Sequence, residues 1–299
     1  MPDIRQSPPY AKYLRRLNWQ VEKLKNGQVF IKKLPLLGSL IKIQRVSSLD
    51  FSEIENLAQK YRAFQIILEP AANCLPPATG NYYPLKSPYL PTKTSILDLQ
   101  PAKEKIFNSF SKNKRRDIRL AEKKNLLIKE GKIEDFIQLK KKHLWHKGIF
   151  PLGVSRRLKL LVEAFGPQAK ILLAYLPENS SPLAGILLLF NEHVCSYWEA
   201  AATAKGKKLL APTLLVWEAI KLAKKKGCTT FDFEGLYDPR FPQNRSWQGF
   251  TRFKEGFRGK EVIYPLPLIS TRRRAFCIHK IGKQNPASEK NRFWRFLRL

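Results

Sequence analysis

The sequence predicts a mixed α/β protein of two domains, its strands gathered into mixed sheets flanked by helices. Three observations carry that expectation. At 299 residues the chain is long for a single core, and a hydrophobic content of 43% is ample for folding. Three apolar runs, 169–176, 183–190 and 194–200, are separated by the turns Pro177-Glu-Asn-Ser-Ser and Asn191-Glu-His, the pattern of an antiparallel meander. A helix is then expected over 212–226, with Pro212 in its first turn, Leu215, Ala219, Leu222 and Ala223 as apolar positions and Gly227 as C-cap. It leads directly into a strand over 228–234.

The remaining elements follow from local signals. Tyr10 to Leu24 mixes aromatic, aliphatic and basic residues at helical spacing and reads as one amphipathic helix. Strands are expected over 29–34 and 40–46 around Gly38-Ser39; they carry Lys32, Lys42 and Arg45, which fit either a phosphate contact or a solvated strand face. Asp50 and Glu53 form a capping-box pattern opening a helix to about Tyr61, followed by a strand over 64–68. The Pro-rich stretch 70–91 reads as a long loop and a candidate cleft wall. Helices are expected over 109–124, 134–146 and 159–165, with a strand over 126–129. His143 and His146 share a helix face, but no third ligand lies near and no H-E-x-x-H occurs, so no metal site is expected.

Charge narrows the partners. Lys and Arg number 55 against 24 Asp and Glu, a formal +31, beyond the roughly 2 to 8 typical of a small soluble domain. A nucleic acid, a phosphorylated substrate or an anionic membrane would each answer that charge. The densest patch holds Lys112, Lys114, Arg115, Arg116, Arg119, Lys123 and Lys124, offset only by Asp117 and Glu122. The four cysteines form no C-x-x-C pair, which argues against a zinc knuckle or a disulfide framework. With no apolar run near ~20 residues and no basic-then-apolar leader, a cytoplasmic location is expected, with room for peripheral membrane contact.

Chemistry concentrates between residues 230 and 259. Phe231 and Phe233 alternate with Asp232 and Glu234, so a buried strand face would leave two carboxylates on the other. Gly235 ends the strand. Phe253-Lys254-Glu255-Gly256-Phe257 then sets one cation between two aromatics in a turn, where Lys254 can donate to a substrate oxygen. Asp232 and Glu234 fit either proton acceptance or a strand-end pairing with a nearby cation.

Meander, basic loop, helix and strand follow one another as in N-acyltransferases of the GNAT kind. The loop Ala204-Lys-Gly-Lys-Lys-Leu-Leu-Ala211 stands where those enzymes hold the coenzyme A pyrophosphate, but Lys208 and Leu210 occupy places where that family has glycines. Lys114-Arg-Arg-Asp-Ile-Arg-Leu-Ala-Glu-Lys-Lys124, Leu209-Leu-Ala-Pro-Thr-Leu-Leu-Val-Trp-Glu-Ala-Ile220, Phe231-Asp-Phe-Glu-Gly235 and Phe253-Lys-Glu-Gly-Phe-Arg-Gly259 together resemble the FemABX family, over residues 6–265. That resemblance implies two tandem GNAT-like domains, 1–128 on the acceptor side, completed by 265–299 or leaving it as a basic aromatic tail, and 129–264; the helical-hairpin arm of some members has no counterpart. It implies an aminoacyltransferase that moves an amino acid from aminoacyl-tRNA to the stem peptide of a peptidoglycan precursor, UDP-linked or lipid-linked, acting as a monomer without a cofactor.

The resemblance also distributes roles. Lys254 and Phe253 match the F-K-x-G-F turn that meets the aminoacyl end of the donor, and Asp232 joins them as a catalytic candidate. Lys207 stands where the family often has an Arg for precursor phosphates; Lys keeps the charge without the bidentate fork. Lys32, Arg45, Trp217 and Glu234 complete the substrate set, although Gln44-Arg45-Val46 departs from a family Pro-Arg-Gly and Thr213 from a common Tyr. Arg115, Arg116, Arg119 and Arg258 are expected to meet tRNA phosphates. An acyl-CoA N-acyltransferase and a non-catalytic RNA- or membrane-binding protein are the alternatives. The basic aromatic tail, from Thr271-Arg-Arg-Arg274 to Asn291-Arg-Phe-Trp-Arg-Phe-Leu-Arg-Leu299, fits tRNA or an anionic membrane surface.

Overall fold

The computed structural model describes residues 3–74, 81–178 and 180–272. Part of the Pro-rich loop, Cys277 and nearly all of the basic aromatic tail lie outside the described residues. The strands are β1 (Gln20–Leu24), β2 (Gly27–Leu34), β3 (Gly38–Gln44), β4 (Ala63–Glu69), β5 (Tyr83–Pro84), β6 (Lys93–Asp98), β7 (Leu127–Glu130), β8 (Ala169–Tyr175), β9 (Ala184–Asn191), β10 (Val194–Ala202), β11 (Thr230–Asp232), β12 (Lys260–Ile263) and β13 (Leu268–Thr271). The helices are α1 (Pro8–Arg16), α2 (Phe51–Lys60), α3 (Lys103–Ser109), α4 (Lys112–Glu122), α5 (Ile133–Trp145), α6 (Val154–Phe165), α7 (Ala204–Lys208), α8 (Ala211–Lys225) and α9 (Gln248–Glu255). Two compact units result: Met1–Gln6 with Asn18–Thr92 and Tyr264–Leu299, and Ser7–Leu17 with Lys93–Ile263.

The first unit is a six-stranded sheet in the order β1-β2-β3-β4-β13-β5, with β3 and β4 parallel and the other pairs antiparallel. Val29, Ile31, Ile41, Ile43, Ile66 and Leu68 bury one face against Ile54 and Ala58 of α2. Asp50 caps α2 by accepting from the Ser52 and Glu53 amides. Glu53 does not close the box; its carboxylate accepts from the Lys25 amide. The helix expected to reach Leu24 stops at Arg16, because Asn18 turns left-handed (φ 61°) and Gln20–Leu24 pairs with β2 from Gln20 opposite Ile31.

The second unit is a seven-stranded sheet in the order β12-β6-β11-β10-β9-β8-β7, and only β10 and β11 run parallel. The expected meander is β8, β9 and β10. All eight residues of β9 are buried, as a strand covered on both faces must be. Ile186 and Leu188 join the core under α4 and α8, while a Cβ on Gly185 would meet Phe136 and Leu139 of α5 on the other side. The boundary drawn at residue 128 falls inside this unit, because β6, which periodicity leaves unassigned, inserts between β12 and β11. The helix expected over 109–124 is α4, capped by Ser111 and running Lys112–Glu122, and a separate helix that periodicity leaves unassigned, α3, precedes it and ends at Ser109.

Candidate active site in the second unit

The parallel pairing of β10 and β11 covers only Val194–Ser196 and Thr230–Asp232. Beyond it β10 continues to Ala202 through a register shift between Tyr197 and Glu199. The other chain stays with β6, where Phe233 and Leu236 donate their amides to Ser95 O and Lys93 O, and it turns at Glu234, whose φ is 56°. The two strands therefore part just after Ser196 and Asp232. Lys254 enters there.

Lys254 is not in a turn but in the last turn of α9, and it is 6% exposed. Its Nζ donates to Gly235 O at 2.8 Å and stands 5.2 Å from the Tyr197 ring centre and 4.9 Å from that of Phe250. The aromatics adjacent in sequence do not flank it. On a helix the facing pairs are i and i+4, so Phe250 pairs with Lys254 while Phe253 and Phe257 form a separate edge. A different cation occupies that edge: Lys114 Nζ lies 4.1 Å from Phe253 and 4.8 Å from Phe257. Lys114, expected on the exposed basic face of α4, is 8% exposed. The i, i+4 spacing of Phe253 and Phe257 was the available signal for this second site.

Burial holds the Lys254 ammonium down to about 8 from 10.5, against the attraction of Glu234 and Asp232. It is charged at neutral pH and close to neutralisation. Burial lowers Lys114 to about 8 as well, opposed by Asp117. Asp232 Oδ1 accepts from Thr94 Oγ1 at 2.5 Å and from the Glu234 amide at 2.7 Å, while Glu234 O accepts from the same hydroxyl. Those bonds fix the left-handed turn that presents Gly235 O to Lys254, so Asp232 holds the chain and places negative charge beside the amine.

The other expected site residues separate into groups. Lys207 is exposed on α7, whose N-cap Thr203 accepts from the Gly206 amide. Gly206 is there for packing, since a Cβ would come 2.4 Å from Leu183 O. Trp217, expected to touch substrate, is instead a core residue of α8, 5% exposed and packed on Phe107 and Phe110 at 5.3 and 5.6 Å. Arg115 closes the end of α3 by donating to Asn108 O and Phe110 O rather than presenting its charge. Arg116 and Arg119 are exposed, with Arg116 beside Asp117 at 3.3 Å and Arg119 5.4 Å from the Phe107 ring. Arg258 is exposed with φ 58° just past α9.

In the first unit, Arg45 is 5% exposed and its guanidinium is committed to Pro70 O, Pro91 O and the Tyr264 ring, so it braces the long loop rather than a phosphate. Lys32 donates to Asn18 O at 3.1 Å. Lys42 is 1% exposed between Trp19 at 4.9 Å and Tyr89 at 4.2 Å, and burial lowers it to about 8 despite Glu69. Among the described residues no group of His, Cys, Asp and Glu could hold a metal ion.

A second charged cluster lies in the same unit as Lys254. Glu199 accepts from Arg157 and from Lys140, the latter at 2.5 Å. Burial raises the carboxyl, but Arg157 and Lys140 outweigh it and hold it near 2.

Residues 173–264, which contain Lys207, Asp232, Glu234, Phe253 and Lys254, match the FemAB family. No curated protein matches the chain in sequence. The fold is similar to the crystal structure of FemX (16% identity, TM-score 0.74, covering 94% of this chain and 95% of that one). It is also similar to the C-terminal domain of a putative lysylphosphatidylglycerol synthetase from Agrobacterium fabrum (12%, TM-score 0.60, 90% and 89%). L-PGS from Bacillus licheniformis is a third structure of like fold (14%, TM-score 0.57, 90% and 89%).

Proposed function

From the FemAB pattern carried by residues 173–264, we propose that this is a FemABX-family chain and an aminoacyltransferase of peptidoglycan synthesis. The donor is an aminoacyl-tRNA and the acceptor an amine on the stem peptide of a muramyl-pentapeptide precursor. One observation carries the reading: a buried ammonium, Lys254, is held on Gly235 O between Tyr197 and Phe250, where β10 and β11 separate.

An aminoacyl ester is already activated, so the protein has to align the acceptor amine and stabilise the charge that develops on the carbonyl oxygen. Attack forms the new C–N bond and a tetrahedral oxyanion; collapse breaks the ester C–O bond and returns the tRNA hydroxyl, which takes up the proton the amine loses. An ammonium has three donors. Lys254 spends one on Gly235 O, which fixes its direction, and another is directed to the oxyanion, where a preorganised donor in a low-dielectric site is worth most. Asp232 and Glu234 keep the lysine protonated near neutrality. Lys207 on α7 meets the precursor phosphates, and Arg116, Arg119 and Arg258, exposed in this unit, meet tRNA phosphates.

The test incubates the full chain with charged tRNAs, and separately with acyl-CoA, in the presence of UDP-linked or lipid-linked muramyl pentapeptide, and follows the acceptor by mass. Gain of one amino-acid residue from charged tRNA is expected. Transfer from acyl-CoA alone would move the chain to the N-acyltransferase reading, and no transfer to either acceptor would overturn the proposal.

A further inference from the structure

The connection between α5 and α6 carries a feature that the transfer chemistry does not use. Within nine residues, Trp145, Ile149, Phe150 and Leu152 are 56%, 37%, 65% and 73% exposed. The residues over 145–153 read Trp-His-Lys-Gly-Ile-Phe-Pro-Leu-Gly. Scattered apolar residues on a surface need no explanation, but four within one helix end and the loop that follows it do.

The loop is built, and its turns fix where these side chains stand. Gly148 (φ 67°) ends α5 in a Schellman arrangement, with the Gly148 amide on Trp145 O and the Ile149 amide on Leu144 O. Gly153 (φ 73°) starts α6, and the Leu152 amide bonds Phe150 O. A Cβ at either glycine would meet nothing within 4 Å, so both sit at open surface. Trp145 and Phe150 pack edge to face at 5.1 Å and form the apolar tip together.

The charge around this tip has one sign. No Asp or Glu occurs between Asp135 and Glu163, whereas Lys140, Lys141, Lys142, Lys147, Arg156, Arg157 and Lys159 all do. Lys140 and Arg157 are used on Glu199, and Lys159 lies 3.1 Å from Glu134. Of the four that remain, Lys141 is half-buried and Lys142, Lys147 and Arg156 are exposed. An aromatic and aliphatic tip ringed by cations matches the two layers of an anionic bilayer surface, acyl-chain boundary under acidic headgroups. A nucleic acid would answer the cations but leave Ile149, Phe150 and Leu152 in water. No helix among the described residues is long and apolar enough to cross a membrane, so the contact is peripheral.

We infer that the segment 142–156, the loop between α5 and α6 with the helix ends that flank it, docks this protein on the surface of an anionic lipid bilayer, with Phe150 and Leu152 at the acyl boundary and Lys142, Lys147 and Arg156 among the headgroups. The inference stands whether or not the chain is a transferase.

Flotation of the full chain with phosphatidylcholine vesicles, with and without phosphatidylglycerol, tests it. Wild type is expected to float with the phosphatidylglycerol vesicles, and Phe150→Ser/Leu152→Ser to partition at least about tenfold more weakly. Lys142→Gln/Lys147→Gln/Arg156→Gln is expected to lose most of the dependence on phosphatidylglycerol. Because the basic tail beyond residue 272 is present in every variant, equal flotation of the serine pair and wild type would overturn the inference. A wild-type dimer that the serine pair dissolves, with vesicle binding unchanged, would assign the patch to a second copy and overturn it too. Brominated lipid gives an independent readout: quenched tryptophan emission that Trp145→Phe removes is expected, and the absence of such a component counts against docking.

Discussion

Replacing Lys254 with methionine keeps the length of the side chain and removes its charge. The lysine is 6% exposed and burial brings its ammonium from 10.5 to about 8. A depression of that size corresponds to about 3 kcal/mol by which folding at neutral pH is penalised for carrying the charge. Methionine relieves that cost but leaves Gly235 O without its 2.8 Å donor, which costs about 1–3 kcal/mol if no water replaces it. Lys254→Met is therefore expected to be between neutral and about 2 kcal/mol more stable than wild type at pH 7.

The sign follows from proton counting. A lysine with a lowered folded pKa binds fewer protons folded than unfolded between about 8 and 10.5, so wild type gains stability as pH rises through that window. The wild-type minus Lys254→Met difference should change by about 3 kcal/mol from pH 7 to 10.5, with the contributions of Lys42 and Lys114 cancelling. Urea unfolding of both proteins across that range measures it. Transfer by the variant should fall by about 100-fold or more, the usual loss when an oxyanion donor is removed. A flat stability difference would refute the burial argument, and full activity in a folded Lys254→Met protein would refute the catalytic one.

Other expectations follow from the same geometry. With Lys254 acting as a cation, transfer should decline as pH rises through about 8, and Lys254→Arg should move that alkaline limb upward at a lower rate, as a pH–rate profile would show. Glu199→Gln strands Arg157 and Lys140 beside an uncharged partner, and urea denaturation should register a loss of about 3–5 kcal/mol. Since its folded pKa is depressed, Glu199 supports wild type above about 4.5, and that support fades as pH falls toward about 2. Gly206→Ala brings a Cβ to 2.4 Å from Leu183 O; a loss of about 1–3 kcal/mol in thermal unfolding should come with a raised KM for the acceptor, because α7 carries Lys207. Lys207→Ala should raise that KM by about tenfold with kcat nearly unchanged, and Lys207→Arg should not.

Patterns that depend on neighbours along the chain were readable from the sequence. The meander, the α8 end signals Pro212 in the first turn and Gly227 just past the C-cap, and the Asp50 cap are local, so periodicity and turn residues suffice to find them. β6 is not local in that sense: Lys93–Asp98 is a strand because β11 and β12, from far along the chain, lie on either side of it. In the candidate site Lys254, Asp232 and Glu234 were legible as residue types in a motif, but their partners were not. Tyr197 and Thr94 come from strands distant in sequence; the parting of β10 and β11 brings Tyr197 to Lys254, and the pairing of β6 with β11 brings Thr94 to Asp232. Arg45 and Trp217 misled because charge and aromaticity suit a brace or a core as well as a ligand, and what distinguishes the cases is the set of partners: backbone carbonyls and the Tyr264 ring for Arg45, Phe107 and Phe110 for Trp217.

The order in which the chain leaves the ribosome does not match the order in which its sheets can close. β13, made last among the described strands, lies between β4 and β5, so the first sheet stays open along β4 until residues 268–271 have been synthesised. Meanwhile α1, among the first segments made, packs on α6, which appears about 140 residues later. The second unit can thus be finished first, while β4, its apolar face already against α2, waits with an unpaired backbone edge. That interval is when a nascent chain of this design is most exposed to mispairing and most in need of a chaperone.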